Sequence, residues 1–359
     1  MMNIRMLLKE MTERNASDLF LRVGGSVRFK IDGSLVPFND DILTVGLLNE
    51  AVEDLTTPQQ REVLRDKLDV DFAIYIKELN LRFRVSIFLQ RGLPAIVIRS
   101  VRRAPESFEG LNLPVDVLKK LSMERNGLVL LTGTMGSGKS TTIASMVEYI
   151  NQHSRKHILT IEEPIEFTFE DKESLINQRE LGLDVLTYES ALRSFTLQSP
   201  DVLMIGNIRD HETMSSAITA AESGVLVLST LHTANAAQSI ARIINFYPQH
   251  LHQEVRNQLS MLLKGVISLS LLPLKSGHGR IPACEIMLLT PTIGRLIRDD
   301  KLREMSKYMA EGEMFGMQTF NRSLEKLVKE GKVSAEQAVE FTDNKDDFMM
   351  ALKGINRKG

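Results

Sequence analysis

The segment Gly133-Thr134-Met135-Gly136-Ser137-Gly138-Lys139-Ser140-Thr141 constrains this 359-residue chain more than any other stretch. It has the pattern G-x-x-x-x-G-K-[ST], follows the apolar run Leu128-Val129-Leu130-Leu131 and opens a helix starting near Lys139. Strand, glycine-rich turn and helix in that order make a loop that cradles phosphate. Glycines at 133, 136 and 138 let backbone N–H groups turn inward around phosphate oxygens, and the helix N-terminus adds partial positive charge. In such a loop Lys139 reaches the β- and γ-phosphates as a point charge. Ser140 supplies a hydroxyl to a Mg²⁺ shell otherwise made largely of water and phosphate. The expected ligand is ATP with Mg²⁺, held by Gly133, Thr134, Gly136, Ser137, Gly138, Lys139, Ser140 and Thr141, with Asn207 also in the nucleotide site.

A loop of this kind sits on a parallel sheet. The runs at 128–131, 158–161, 202–205 and 225–228 are short and nearly continuously apolar, as in strands covered on both faces, and helix-length segments separate them. Before them, residues 1–101 read as an α+β domain. It has a short helix, alternating strands such as Asp18-Leu19-Phe20-Leu21-Arg22-Val23 and Val27-Arg28-Phe29-Lys30-Ile31, a turn through Asp32-Gly33, and a helical stretch over about 47–68. Strands follow at 72–76, 81–89 and 95–101. Residues 102–115, polar and proline-containing, read as a linker, 116–280 as the α/β core and 281–359 as its helical C-terminal part. In that last part 296–309 and 319–330 are the clearest helices, and 353–359 a frayed tail.

The composition excludes several classes. A hydrophobic fraction of 43% and a charged fraction of 25% are ordinary for a globular chain, and no stretch is long enough to insert in a membrane. The start, 1–10, is too short and interrupted for a signal peptide. A net charge of -2 gives no global basic field, so no nucleic-acid partner is expected. Cys284 is the only cysteine, which rules out intrachain disulfides and cysteine-rich zinc sites, and reads as a small buried apolar residue.

Hydrolysis needs a carboxylate to orient or deprotonate water and another acid to support the metal. The strand Ile158-Leu159-Thr160-Ile161 runs into Glu162-Glu163-Pro164-Ile165-Glu166, at the sheet mouth where doubly wound folds bind ligands. Such glutamates are either functional or solvated surface. The strand Val202-Leu203-Met204-Ile205 ends in Gly206-Asn207-Ile208-Arg209-Asp210, where Asn207 stands in place of an expected acid. An amide cannot take a proton and is a weak Mg²⁺ ligand. His232, in Ser229-Thr230-Leu231-His232-Thr233, either senses phosphate or is a packed histidine.

Together these residues resemble the secretion-type hexameric ATPases and, within them, the retraction motors of type IV pili, the PilT and PilU group. The resemblance covers nearly the whole chain. It rests on Ala16-Ser17-Asp18-Leu19, Leu81-Arg82-Phe83-Arg84-Val85, the phosphate loop, Ile161-Glu162-Glu163-Pro164-Ile165-Glu166, Gln178-Arg179-Glu180, Ala220-Ala221-Glu222-Ser223-Gly224, Thr230-Leu231-His232-Thr233, Leu296-Ile297-Arg298 and Gly316-Met317-Gln318-Thr319. It implies a PAS-like N-terminal domain and a RecA-like P-loop ATPase core. It further implies a homo-hexamer binding ATP between one chain's core and the neighbouring chain's first domain. By position Glu166 is the general base, and Glu162 and Glu163 support the metal or its water. Arg82, Arg84 and Arg99 are candidates to reach the γ-phosphate from the neighbour, although Arg82 and Arg84 also read as the polar face of a strand. The implied partners are a paralogous retraction ATPase and an inner-membrane pilus platform protein, at the cytoplasmic face of the bacterial inner membrane.

The departures from the family pattern bear on turnover. Asn207 replaces its Walker B glutamate, Val225 the first of its paired histidines, Leu197 an arginine, Glu163 an aspartate and Phe20 a histidine. The expectation is a chain that binds Mg-ATP but turns it over slowly alone, beside a more active paralogue. A non-hydrolysing ring subunit is the alternative from another class. Pilus-extension and type II secretion ATPases rank behind, since those commonly carry a four-cysteine zinc module.

Overall fold

Alternation in Asp18-Leu19-Phe20-Leu21-Arg22 produces a strand with Leu19 and Leu21 buried, and this pattern builds the first sheet of the computed structural model. The structure describes residues 4–31, 33–277, 279–342 and 345–352. Two units emerge: Met1–Arg103 with Glu166–Thr168, and Ala104–Ile165 with Phe169–Gly359.

In the first unit β1 (Asp18–Arg22), β2 (Arg28–Ile31), β3 (Ser34–Pro37), β4 (Asp69–Ile76), β5 (Leu81–Gln90) and β6 (Leu93–Arg103) pair antiparallel in the order β3-β2-β1-β6-β5-β4. One face, with Phe29, Phe83, Val85, Ile87, Ile96 and Ile98, packs in the same core as Leu7, Leu8 and Met11 of the helix Ile4–Glu13 and Leu48 of the helix Val45–Leu55. Ile31 and Ser34 pair across the expected hairpin turn; Asp32 itself lies outside the described residues. The single helix expected over 47–68 is two, Val45–Leu55 and Pro58–Lys67. Thr57 and Gln60 form a capping box and Pro58 opens the second helix, so the break is written in Thr56-Thr57-Pro58. β6 continues through Arg103, so the expected linker begins inside a strand.

The second unit holds β7 (Gly127–Thr132), β8 (His157–Glu162), β10 (Leu175–Glu180), β11 (Val202–Ile205), β12 (Leu226–Leu231), β13 (Leu263–Pro273) and β14 (Arg280–Leu288). Between β8 and β10 the chain makes the two-residue β9 (Phe167–Thr168), which pairs parallel with Arg102 and Arg103 of β6 and so groups with the first unit. The second sheet runs β10-β8-β11-β12-β7-β13-β14 and is parallel except for β14. Residues 128–131 of β7 and all of β11 are fully buried, as their apolar runs require, and the helices Lys139–His153 and His211–Glu222 pack into the same core.

One expectation fails here. Residues from 281 do not begin a helical region: Arg280–Leu288 is a strand, with Ala283, Ile286 and Met287 buried. Pro282 obscured it, yet at a sheet edge a residue without an N–H removes no needed ladder bond. The helix expected over 296–309 is also interrupted. Pro291–Arg298 ends at Asp299, Asp300 takes a left-handed φ of 58°, and a new helix runs Met305–Glu311. Phe320–Lys329, capped by Thr319, matches the second expected helix. The tail 353–359 lies outside the described residues. Among those residues no helix is long and apolar enough to cross a membrane.

Candidate functional site

β7, β8, β11 and β12 run parallel in one register, so Thr132, Glu162, Ile205 and Leu231 finish at the same edge of the sheet. That edge is where open α/β sheets take ligands. The phosphate loop leaves β7 there. Gly133 has a φ of 141°, and a Cβ on it would strike the Leu269 carbonyl oxygen and the Ser137 hydroxyl, so only glycine lets the loop lie against β13. Gly136 and Gly138 are also left-handed.

The helix Lys139–His153 starts from Gly138 with no side-chain cap, so its first-turn N–H groups remain open to an anion. Lys139 is buried, and its Nζ donates to the carbonyls of Gly133 and Thr134, both at 2.8 Å. The ammonium thus spans the loop from within it. Ser137 is 3% exposed and its Oγ makes no hydrogen bond. Open helix N–H groups, an ammonium and an orphan hydroxyl are all donors, a set that fits a polyphosphate. Among the described residues no three His, Cys, Asp or Glu side chains cluster as a cation cage. A Mg²⁺ here would be held by the Ser140 hydroxyl and phosphate oxygens.

The acidic turn is held by β10, a strand that periodicity did not single out. Glu162, 5% exposed, accepts from Thr160 Oγ1 at 2.8 Å and from Gln178 Nε2 at 3.1 Å. Glu180 accepts from the Ile165 N–H at 3.3 Å, across the cis Glu163-Pro164 bond. Glu163 is exposed and pairs with Arg209 at 3.0 Å. Glu166 is exposed and groups with the first unit through the β9 pairing. Acids four positions apart in the sequence therefore fall in different units.

Asn207 follows β11, and its Oδ1 is buried without a hydrogen-bond partner. Beside it a Cβ on Gly206 would crowd the Glu162 backbone, and the Gly206 carbonyl accepts from Thr230 Oγ1 at 2.7 Å. Tyr188 was not anticipated, because an aromatic at a helix start carries no motif. Burial, then the Glu163 charge, pushes its phenol up to about 12, so it stays a neutral donor. His232 follows β12. Partial burial, then the charges of Lys139, Arg209 and Arg242, hold its imidazole below the usual range, against a hydrogen bond with the Gly133 backbone.

Residues 2–275 match the family of type II/IV secretion system proteins. The chain belongs to this family. It is 38% identical to the type IV pilus ATPase PilU of Pseudomonas aeruginosa, over 98% of this chain and 92% of that one. It is 40% identical to the type IV pilus retraction ATPase PilT of the same organism, over 97% of this chain and all of that one. A crystal structure of the pilus retraction motor PilT with bound ADP aligns with a TM-score of 0.89 at 38% identity, covering 97% of this chain and 99% of that chain. The mixed α/β fold, a RecA-like sheet preceded by an N-terminal domain, is the fold of that motor.

In this secretion-system chain the three arginines lie in the first unit. Arg84 pairs with Asp71 at 3.6 Å, Arg99 pairs with Asp18 at 2.7 Å, and Arg82 stands on β5 opposite Val101. The second unit brings together the phosphate loop, Glu162, Glu163, Asn207 and His232; Glu166, Arg82, Arg84 and Arg99 belong to the first.

Proposed function

We propose that this chain is a motor subunit of type IV pilus retraction that binds and hydrolyses ATP at the loop 133–141. The observation that carries the reading is the Lys139-spanned loop opening an uncapped helix at the same strand ends where Glu162 and His232 lie. Backbone N–H groups and Lys139 bind the phosphates. Ser140 would hold Mg²⁺, which when bound would neutralise charge on the transferred group. Glu162 and Glu163 support the metal's water, and Glu166 acts as general base. His232, whose surroundings disfavour the imidazolium, presents its ring to the phosphate. Six chains form a ring, and Arg82, Arg84 or Arg99 of a neighbouring chain stabilises charge in the transition state. Motion between the two units then performs work on the pilus, at the cytoplasmic face of the inner membrane, against a membrane platform protein.

A second reading has its own observation. Asn207 Oδ1 is a buried acceptor with no donor, and this amide stands where the resemblance to the pilus motors implies a glutamate. It favours slow turnover, with the chain working beside a more active paralogue, or in the limit using ATP only to hold the ring together. Lys139→Ala should abolish nucleotide binding and retraction. Retained retraction in a strain lacking any paralogue would refute the motor reading.

A further inference from the structure

The turn that carries His232 is fastened from behind by a carboxylate from a distant part of the sequence. Asn235 caps the helix Ala236–Asn245 by accepting from the Gln238 N–H at 2.9 Å. The Ala236 N–H, left over at the first helical position, donates to Glu285 Oε1 at 2.7 Å. Glu285 lies on β14 and is 9% exposed. The same oxygen accepts from Ser268 Oγ of β13 at 3.3 Å, and Ser268 Oγ accepts from Thr132 Oγ1 at 2.9 Å. Thr132 is the residue before Gly133, the first glycine of the phosphate loop. Thr233 and Ser239 share a further hydroxyl bond at 2.6 Å, tying the turn to its helix.

The contacts therefore run from the strand that delivers the phosphate loop through Ser268 and Glu285 to Ala236 and the His232 turn. Gly133, Thr134, Asn235 and Glu285 also line one cavity of about 130 Å³, so loop, turn and carboxylate share a space. A buried carboxylate is costly, and a core that needed only stability would be served by an apolar side chain.

We propose that Glu285 is a positioning residue of the nucleotide site, holding the His232 turn in fixed relation to the strand that delivers the phosphate loop. It acts through Ala236 and Ser268 and does not itself contact phosphate. The proposal rests on the ATPase reading above, and its test has an arm independent of turnover.

Glu285→Ala, Glu285→Gln and Ala236→Pro are compared with the native chain for kcat and KM with Mg-ATP, for ADP affinity, and for the shift of the His232 imidazole NMR signal when ADP binds. Glu285→Ala should lower kcat by about tenfold to a hundredfold, the scale set by a small misplacement of a reacting constellation, with ADP affinity unchanged. The ADP-induced shift at His232 should disappear. Glu285→Gln, whose amide oxygen still accepts from Ala236, should recover most of both. Ala236→Pro deletes the donor at a position where helices accept proline, after an Asn235 already extended at φ -149° and ψ 172°, and should reproduce the loss. If Glu285→Ala does not fold, the other two variants decide the matter. A chain without turnover fails the ATPase reading alone, because the His232 response still reports on Glu285. Native kcat and a native His232 response in Glu285→Ala or Ala236→Pro would overturn the proposal. So would a folded Glu285→Gln as impaired as Glu285→Ala, since charge and not positioning would then be at issue.

Discussion

Asp18 Oδ1 accepts a hydrogen bond from Arg99 Nε at 2.7 Å, between residues directly opposite one another on β1 and β6. The Asp18 side chain is 4% exposed and that of Arg99 65%, so a buried carboxylate anchors a guanidinium that reaches outward. Ser17 Oγ donates to the second carboxylate oxygen at 2.7 Å. The motif Ala16-Ser17-Asp18-Leu19 thus has a local physical task in the first unit: it fixes the direction of one of the three candidate arginines.

Asp18→Asn should therefore destabilise the first unit by up to about 1.5 to 3 kcal/mol, the range for hydrogen bonds to charged groups. Urea denaturation followed by far-UV circular dichroism measures it. A native midpoint would mean that the ion pair contributes nothing beyond its Arg99 partner's solvation.

Gly133→Ala meets two penalties, a left-handed backbone and contact with the Leu269 carbonyl, whereas Gly136→Ala, with φ of 75° and open space around it, meets only the first. Strain of this kind is worth about 1 to 3 kcal/mol. The expected order of thermal stability is native, then Gly136→Ala, then Gly133→Ala, with ADP binding lost in the last. Equal melting temperatures for the two variants would show that β13 does not hold the loop.

The phosphate loop and the four central strands were legible because glycine spacing and uninterrupted apolar runs each have one physical meaning. β10 was not, because Leu175–Glu180 turns its polar side chains to use: Gln178 and Glu180 brace the acidic turn, and so spoil the apolar pattern that marks a strand. β14 was hidden by Pro282, whose tolerance depends on an edge position that only the assembled sheet defines. Glu285 could not be read at all. Its partners Ala236 and Ser268 lie 49 and 17 positions away, and no local pattern joins them. Glu166 shows the same limit, since a two-residue strand decides the unit to which it belongs.

His232 should titrate below the ordinary histidine value near 6.5, and Lys139→Ala or Arg242→Ala should raise its midpoint by removing positive charge. A histidine with a lowered pKa in the fold leaves the unfolded chain to take up the proton first as pH falls. Its contribution to stability is therefore intact above the ordinary value and is lost as pH drops through that value toward the folded one. Histidine NMR titration checks this; a midpoint at or above the ordinary value would contradict the placement of His232 beside Lys139.

On the proposed reading, Asn207 limits the activation of water while the loop 133–141 holds the phosphates. Steady-state phosphate release from Mg-ATP by the purified native chain and by Asn207→Glu tests it most directly. The expected result is slow release by the native chain and a rise of about tenfold to a hundredfold in Asn207→Glu, the scale on which correct placement of the reacting groups matters. Equal rates for the two proteins would contradict it.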